Sequence, residues 1–405
     1  MLSVADARTR ITTAFAPLAA EQVSLTDALG RVLSENVRSR RTQPPSAVSA
    51  MDGYAVRAAD LASTPATLSM VGEVPAGQSF DRTIGPGETV RIFTGAPLPE
   101  GADAIVIQED VEIDPDGAVR IAEPVPTGHY VRPAGLDFSA GDILLTAGTV
   151  LTARDVGLAA AMNVPWLMVR RQPRVAILAT GDEVVMPGDP VGPNQIVSSN
   201  GLALAAAVRC FGASSELLGI APDDPAALQQ LAAGARGADL LITTGGASVG
   251  KHDLIKDALG DIGLSLDFFK IAMRPGKPLI FGNLGGTPLL GLPGNPVSSM
   301  VCALMFVEPA IAVMLGRPVP EIILEPARLA ADLPANDRRE DYLRANLSLA
   351  GGELPRVTPF NRQDSSMLSS LAASDCLIVR APHAPAAAAG DLVQVLKLRR
   401  SLLSL

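Results

Sequence analysis

Cysteine is scarce and scattered. Cys210, Cys302 and Cys376 are the only three in 405 residues, and no two of them have metal-ligand spacing. An odd, dispersed set argues against a disulfide framework and fits buried thiols in a reducing compartment. Positive charge is also in short supply. With 33 Lys and Arg against 42 Asp and Glu, the net charge is −9 and no basic stripe exists, so nucleic acid is not an expected partner. Uninterrupted apolar runs are missing as well. The most apolar stretch, Val297 to Leu315, is broken by Glu308 and Pro309, whereas a membrane span needs about 20 largely uncharged residues. It therefore reads as a buried helix, and no membrane partner is expected. The first residues, MLSVADARTRITTAFAPL, mix acid and base early and contain no apolar core of signal-peptide length. A cytoplasmic protein is expected. No internal repeat is evident.

What remains is a globular composition, 48% hydrophobic and 19% charged. At this length one ordinary core is not enough, and three or four domains are expected. Residues 3 to 20 carry helical apolar spacing, and Thr26 to Val37 has the spacing of a second helix with Gly30 inside it. From about 44 to 138 the texture changes to short strands, such as Thr89–Phe93 and Ala104–Ile107, separated by Gly/Pro turns. Helix-forming sequence returns at Ala153 to Met162. Residues 44–138 are thus expected to be a β-rich insert in an elongated, split N-terminal domain (1–43 plus 139–171).

From 172 to 318 strands and helices alternate, with strands at Arg174–Ala179, Glu216–Ile220 and Asp239–Thr244 and helices at Ser199–Phe211 and Pro225–Ala235. Alternation predicts an α/β domain with a parallel sheet covered on both faces. Ligands of such sheets bind beyond the carboxyl ends of the strands. After Pro318 the helices disappear. Strands at Ile322–Leu324, Tyr342–Leu347, Cys376–Val379 and Val393–Leu396 predict a C-terminal β-barrel over 319–405.

The most informative run is Leu240-Leu241-Ile242-Thr243-Thr244-Gly245-Gly246-Ala247-Ser248-Val249-Gly250-Lys251-His252-Asp253. An apolar strand stops in a paired-glycine turn, and a helix from Lys251 to Leu259 is predicted to follow. That junction aims backbone N–H groups and a positive helix end at one point, a ready site for an oxyanion. The glycines permit the turn and the close approach of a bulky anion. Asp253 either caps the helix or holds a cation against that anion. Three other segments reach the same edge. Asp182 and Glu183 follow a strand directly, as ligand contacts or as a solvated turn. In Asp223-Asp224-Pro225, Asp224 is the better N-cap, which frees Asp223 to face a site. Gly291-Leu292-Pro293-Gly294-Asn295-Pro296-Val297-Ser298 joins a strand to a helix start fixed by two prolines. Lys270, Arg274 and Lys277 place three cations around a Pro-Gly turn, with Arg as a bidentate fork and Lys as a point charge for an oxyanion. By residue type alone, Asp52 in Met51-Asp52-Gly53 is a turn residue.

Together SAMDGYAV (49–56), RIFTGAPLPEG (91–101), TGDEV (180–184), TTGGASVGKHD (243–253), RPGKP (274–278) and GLPGNPVS (291–298) closely resemble the molybdopterin molybdenumtransferases, the MoeA family, which includes the E domain of gephyrin. The resemblance spans nearly the whole chain in motif order. It implies a homodimer of elongated four-domain subunits, with an α/β domain shared with the molybdopterin adenylyltransferases. The implied activity is insertion of molybdate into adenylylated molybdopterin, with Mg²⁺ and release of AMP. The adenylyltransferase and molybdoenzyme apoproteins are implied transient partners.

By motif, the resemblance assigns catalytic roles to Asp52, Asp223, Asp253, Lys270 and Lys277. It assigns substrate contacts to Thr94, Asp137, Glu183, Gly245, Gly246, Ser248, Gly250, Arg274, Pro293, Pro296, Ser298, Arg344 and Ser365. The metal set is Asp52, Glu183, Asp223 and Asp253, since carboxylates among anionic ligands make sense around a hard divalent cation. Three departures stand out. Arg274 occupies a position where the family more often has Lys, Lys251-His252 replaces an acidic or small pair, and Gln363-Asp364 replaces the usual glycine before Ser365. Two other readings are an adenylyltransferase-like enzyme and a non-catalytic scaffold. The first is disfavoured by the three additional domains, the second by Asp52, Asp253 and Lys277 standing in motif.

Overall fold

The computed structural model describes residues 1–245, 258–349 and 354–398. The chain opens with helix Val4–Thr13, capped by the Ser3 side chain accepting from the Asp6 N–H. The helix stops well short of residue 20. Phe15 and Leu18 continue the apolar spacing without helix, by packing on the core formed by Val4, Ala7 and Ile11 with the α/β region. Helix Val4–Thr13 therefore packs on the α/β region, although residues 1–43 read by sequence as one N-terminal unit.

Residues 26–37 are not a helix. A short 3₁₀ turn covers Leu25–Asp27, Gly30 adopts a φ of +74°, and Val32 and Leu33 form isolated bridges to Val150 and Val169. The apolar positions Ala28, Leu33 and Val37 are buried from extended backbone instead, so tertiary pairing overrides the local spacing. Strand Ala20–Ser24 pairs antiparallel with Trp166–Arg170, and Val37–Arg38 pairs with Ile143–Leu145. The segments on either side of 44–138 thus share one core. The six-stranded sheet between them has two clusters of its own, drawn from residues 54–131.

The α/β sheet runs in the order Ser214–Ala221, Arg174–Thr180, Leu240–Thr244, Thr287–Leu292, Pro278–Leu284, Leu264–Lys270. Its first four strands are parallel, and the last two are antiparallel. The sheet is therefore mixed rather than wholly parallel. The cause is local. Gly285 and Gly286, at φ +57° and +97°, close a two-residue hairpin with no room for a crossover helix. Leu240, Leu241 and Ile242 are fully buried, as expected for a central strand covered on both faces. The helical stretch Pro296–Met314 is long and apolar enough to span a membrane but is 83% buried within the protein. It contains a π-helical turn at Ala303–Val307.

Strands Glu325–Leu329, Glu340–Ser348, Arg356–Pro359, Cys376–Arg380 and Leu392–Lys397 close into a five-stranded barrel. The first barrel strand begins at Glu325, so the expected strand at Ile322–Leu324 is exposed linker. Met273–Arg274 pairs with Glu340–Asp341 and ties the α/β domain to the barrel.

Candidate functional site

At the carboxyl edge of the parallel strands, backbone turns crowd together. Gly245 ends its strand at φ +92°. A Cβ there would lie 2.5 Å from the Thr180 carbonyl oxygen, so only glycine fits. Asn200, at the start of helix Asn200–Cys210, donates through Nδ2 to Thr244 Oγ1 (3.0 Å) and to the Gly294 carbonyl (2.7 Å). Thr244 in turn donates to the carbonyl of the buried Pro293. Asn200 thereby ties the end of strand Leu240–Thr244 to the turn at Gly294. It lies at no quoted motif, and its two bonds span 44 and 94 residues, so only the fold discloses it. Gly246, Ser248, Gly250 and Asp253 lie outside the described residues.

The same edge carries the acids. Asp182 Oδ1 accepts from the Asp223 backbone N–H at 2.9 Å. The Asp223 carboxyl is pushed up from its usual value by burial first, then by the neighbouring carboxylates Asp182 and Glu183. Asp224 caps helix Pro225–Ala232 by accepting from the Ala227 N–H, so Asp224 is the helix cap, as expected, and the Asp223 carboxyl is not used for capping. Glu183 folds its carboxylate back over Gly181, within 2.6 Å of where a Cβ would stand. Among the described residues, no cluster of three or more metal-ligating side chains is preformed. Hard oxygen donors in repulsive proximity nevertheless suit Mg²⁺, which is held by one or two carboxylates plus substrate phosphates.

Pro296 opens helix Pro296–Cys302 at its first turn, with Ser298 buried just inside it. Asn295 Nδ2 donates to Ser365 Oγ at 2.6 Å, and the Val297 N–H donates to the Ser365 carbonyl at 3.0 Å. The barrel thus brings Ser365 to this helix start despite the Gln-Asp that precedes it.

The three cations of the 270–277 turn have different fates. Lys270 and Lys277 line one cavity of about 380 Å³ with Met1, Ala272 and Arg338. Neither lysine has a carboxylate partner among the described residues. Gly276, at φ +118°, packs so tightly on the following helix that a Cβ would stand 2.7 Å from Cys302 Sγ, which makes the turn rigid. Arg274 is committed elsewhere. Its Nε donates to Asp341 Oδ1 at 2.7 Å, its Nη2 reaches the other oxygen of Asp341, and Nη2 also donates to Asn336 at 3.0 Å. Asp341 is 3% exposed. The bidentate fork is present, but the carboxylate it holds belongs to the barrel.

Arg344 is likewise occupied. It is 1% exposed. Its guanidinium donates to the Gln363 side chain and to the carbonyls of Met367 and Arg362, and burial lowers its pKa. Instead of presenting an open face to an oxyanion, Arg344 braces the loop that delivers Ser365.

In the β-insert, Asp52 Oδ1 accepts from both the backbone N–H and the hydroxyl of Thr94, each at 2.7 Å. These two bonds, backbone first, hold the Asp52 carboxyl below its usual range. Gly53 is obligatory, because a Cβ would lie 2.1 Å from the Val106 carbonyl oxygen. Asp52 and Thr94 are thus one preassembled acceptor on an exposed turn. Asp137 is exposed on a loop tied back through its N–H to the Gln43 carbonyl.

Three family models cover the chain. They describe the MoeA N-terminal region (domain I and II) at residues 2–163, a probable molybdopterin binding domain at 176–313, and the MoeA C-terminal region (domain IV) at 326–398. The chain is similar to the molybdopterin molybdenumtransferase of Nostoc, 38% identical over 89% of this chain and 84% of the relative. It is also similar to molybdopterin molybdenumtransferase 2 of Mycobacterium tuberculosis, 37% identical over 92% and 94%. Among solved structures, a molybdopterin biosynthesis MoeA protein from Pyrococcus horikosii superposes with a TM-score of 0.85 at 31% identity, covering 98% of this chain and 99% of its own. With its motifs, four-part architecture and full-length relatives in agreement, the chain belongs to the MoeA family.

Proposed function

We propose that this protein inserts molybdate into adenylylated molybdopterin, cleaving the phosphoanhydride and releasing AMP in a Mg²⁺-dependent reaction. The observation that carries the reading is the cavity bearing Lys270 and Lys277, two cations without carboxylate partners among the described residues in a chain of net charge −9. Such an acidic chain repels dianions at long range, so local cations must overcome that field. The tight packing of Gly276 on Cys302 fixes the backbone from which Lys277 projects, so only its side chain is ordered when an oxyanion arrives. Glu183 and Asp223, with Asp253 beyond them in sequence, are the residues that would hold Mg²⁺. That ion supplies charge neutralisation at the phosphate oxygens. The glycine at 245 lets a bulky ligand approach main chain, and Asn200 and Thr244 hold the strand end at Thr244 against the Pro293-Gly294 turn.

Asp52 and Thr94 sit on turns beside the strands of the β-insert, whose core shares no residue with the α/β core. From the family resemblance we infer a homodimer in which the insert of one copy completes the site of the other. The protein would act in the cytoplasm, receiving substrate from the molybdopterin adenylyltransferase and passing product to apoenzymes.

Purified protein incubated with adenylylated molybdopterin, Mg²⁺ and molybdate should release AMP and yield active cofactor. AMP formation without active cofactor would refute molybdate insertion. Adenylylation of molybdopterin by ATP would instead favour the adenylyltransferase reading, and the absence of any turnover would favour a scaffold. Asp52→Ala should abolish AMP release with the fold intact. Mixing it with inactive Asp223→Ala subunits should recover activity by leaving one complete site per heterodimer. No recovery after verified subunit exchange would rule out the shared site.

A further inference from the structure

The loop 336–339 faces the cationic turn and carries two adjacent arginines, but only one of them is engaged. Arg339 donates through its backbone N–H, Nε and Nη2 to the Asp337 carboxylate. Those bonds, together with the nearby charge of Arg274, hold the Asp337 carboxyl far below its usual range. Arg274 lies 3.5 Å from the same carboxylate and also occupies Asp341. Asp337 and Asp341 are therefore already matched, and Glu340 accepts from the Tyr342 hydroxyl. Arg338 is exposed, and its guanidinium has no hydrogen bond or ion pair among the described residues. It lines the same cavity as Lys270 and Lys277.

Three cations around one cavity of about 380 Å³ repel one another, and among the described residues none of them has a carboxylate at ion-pair distance. Like-charge clusters of this kind are stabilised when a polyanion enters. Lys270 and Lys277 are point charges that attract an anion from any direction, whereas a guanidinium presents a planar fork that matches two oxygens of one oxyanion. Lys270 and Lys277 come from the α/β domain and Arg338 from the loop between the first two barrel strands, so an anion held by all three would bridge the two domains.

Building on the molybdate-insertion reading, we infer that Arg338 is a third oxyanion contact, which captures the free tetrahedral dianion at the Lys270–Lys277 cavity. Its role is recognition of the incoming molybdate. It raises affinity for the dianion without forming or breaking a bond, and its removal acts on the molybdate requirement rather than on turnover at saturating molybdate.

The test is calorimetric titration of sodium molybdate into the full-length protein at fixed ionic strength, with sodium sulfate as a second tetrahedral dianion. The same preparations are followed for cofactor formation across molybdate concentrations. Arg338→Ala should weaken molybdate binding about tenfold, in the range for one charge-assisted contact, and raise the half-saturating molybdate by the same factor with the maximal rate retained. Arg338→Lys, which keeps the charge and loses the fork, should fall between. Because Arg338 is exposed and unpartnered, circular dichroism and melting should match the unmodified protein. If Lys277→Ala weakens binding and Arg338→Ala does not, Arg338 is a bystander and the inference fails while the cavity reading stands. If neither variant changes molybdate binding, the cavity is not an oxyanion site and both fail together.

Discussion

Two sets of cations sit within a few residues of each other where the α/β domain meets the barrel, and they are treated in opposite ways. Arg274, Arg339 and Arg344 are each bound to acids or carbonyls. Lys270, Lys277 and Arg338 share one cavity and have no acid partners among the described residues. Arg274 uses its planar fork to hold the α/β domain to the barrel, whereas Arg339 and Arg344 brace loops within the barrel. Lys270, Lys277 and Arg338 are left where an incoming anion can use two point charges and a fork. Charge density in the sequence marks the region, and partnership in the fold separates structural cations from those available to substrate.

The sharpest way to break this comparison is to treat Arg274 as a ligand contact and remove it. Arg274→Ala strands the buried Asp341 carboxylate without its partner. Loss of one member of a buried pair costs about 3–5 kcal/mol, and the half-exposed Arg274 side chain puts the expected loss nearer 2–3 kcal/mol. Denaturant unfolding followed by a barrel-sensitive probe should report it. An unchanged midpoint would mean that the Asp341 fork does not hold the domains.

The opposite pattern is expected of Lys277→Ala. Loss of a charge-assisted contact is worth roughly 1.5–3 kcal/mol, so molybdate affinity should fall on the order of tenfold to a hundredfold. Unfolding should barely change, because no ion pair among the described residues is broken. Excess molybdate should rescue turnover in part. A stability loss matching that of Arg274→Ala would erase the distinction between the two sets.

The smallest effect belongs to the acidic edge, where repulsion rather than pairing is built in. Asp223 has a raised carboxyl pKa through burial, Asp182 and Glu183. For an acid raised in the folded state, the fold binds more protons than the unfolded chain, so stability falls as pH rises. That penalty is absent below the unfolded value and complete once pH passes the raised folded value. Asp223→Asn should therefore give a small gain in melting temperature at neutral pH that vanishes in acid, together with a loss of Mg²⁺-dependent turnover. No gain at any pH would show that the carboxylates do not burden the fold.

Much of this site was legible because its signals are local. A glycine after a buried strand, an Asp-Asp-Pro helix start and an Asn-Pro turn each specify a backbone shape within a few residues, and Gly245, Asp224 and Pro296 adopt those shapes. The partners of charged side chains were not legible. Arg274 meets an aspartate 67 residues away, and Arg344 is enclosed by carbonyls of a loop 18 to 23 residues on. No pattern in either neighbourhood distinguishes a latch from a ligand contact. The apolar spacing of residues 26–37 misled for a similar reason, since bridges from Val32 and Leu33 to distant residues bury it as extended chain. The Gly285-Gly286 pair was a local hairpin signal that explains the antiparallel edge of the sheet.

The most direct test of the division between latching and ligand-binding cations is the molybdate dependence of cofactor formation in Arg274→Lys and Lys277→Ala, measured side by side at fixed ionic strength. Arg274→Lys retains charge on the turn and loses only the fork to Asp341. It should need the same molybdate as the unmodified protein while unfolding more readily, whereas Lys277→Ala should need at least about tenfold more. A molybdate requirement raised as much by Arg274→Lys as by Lys277→Ala would contradict the account and return Arg274 to the substrate.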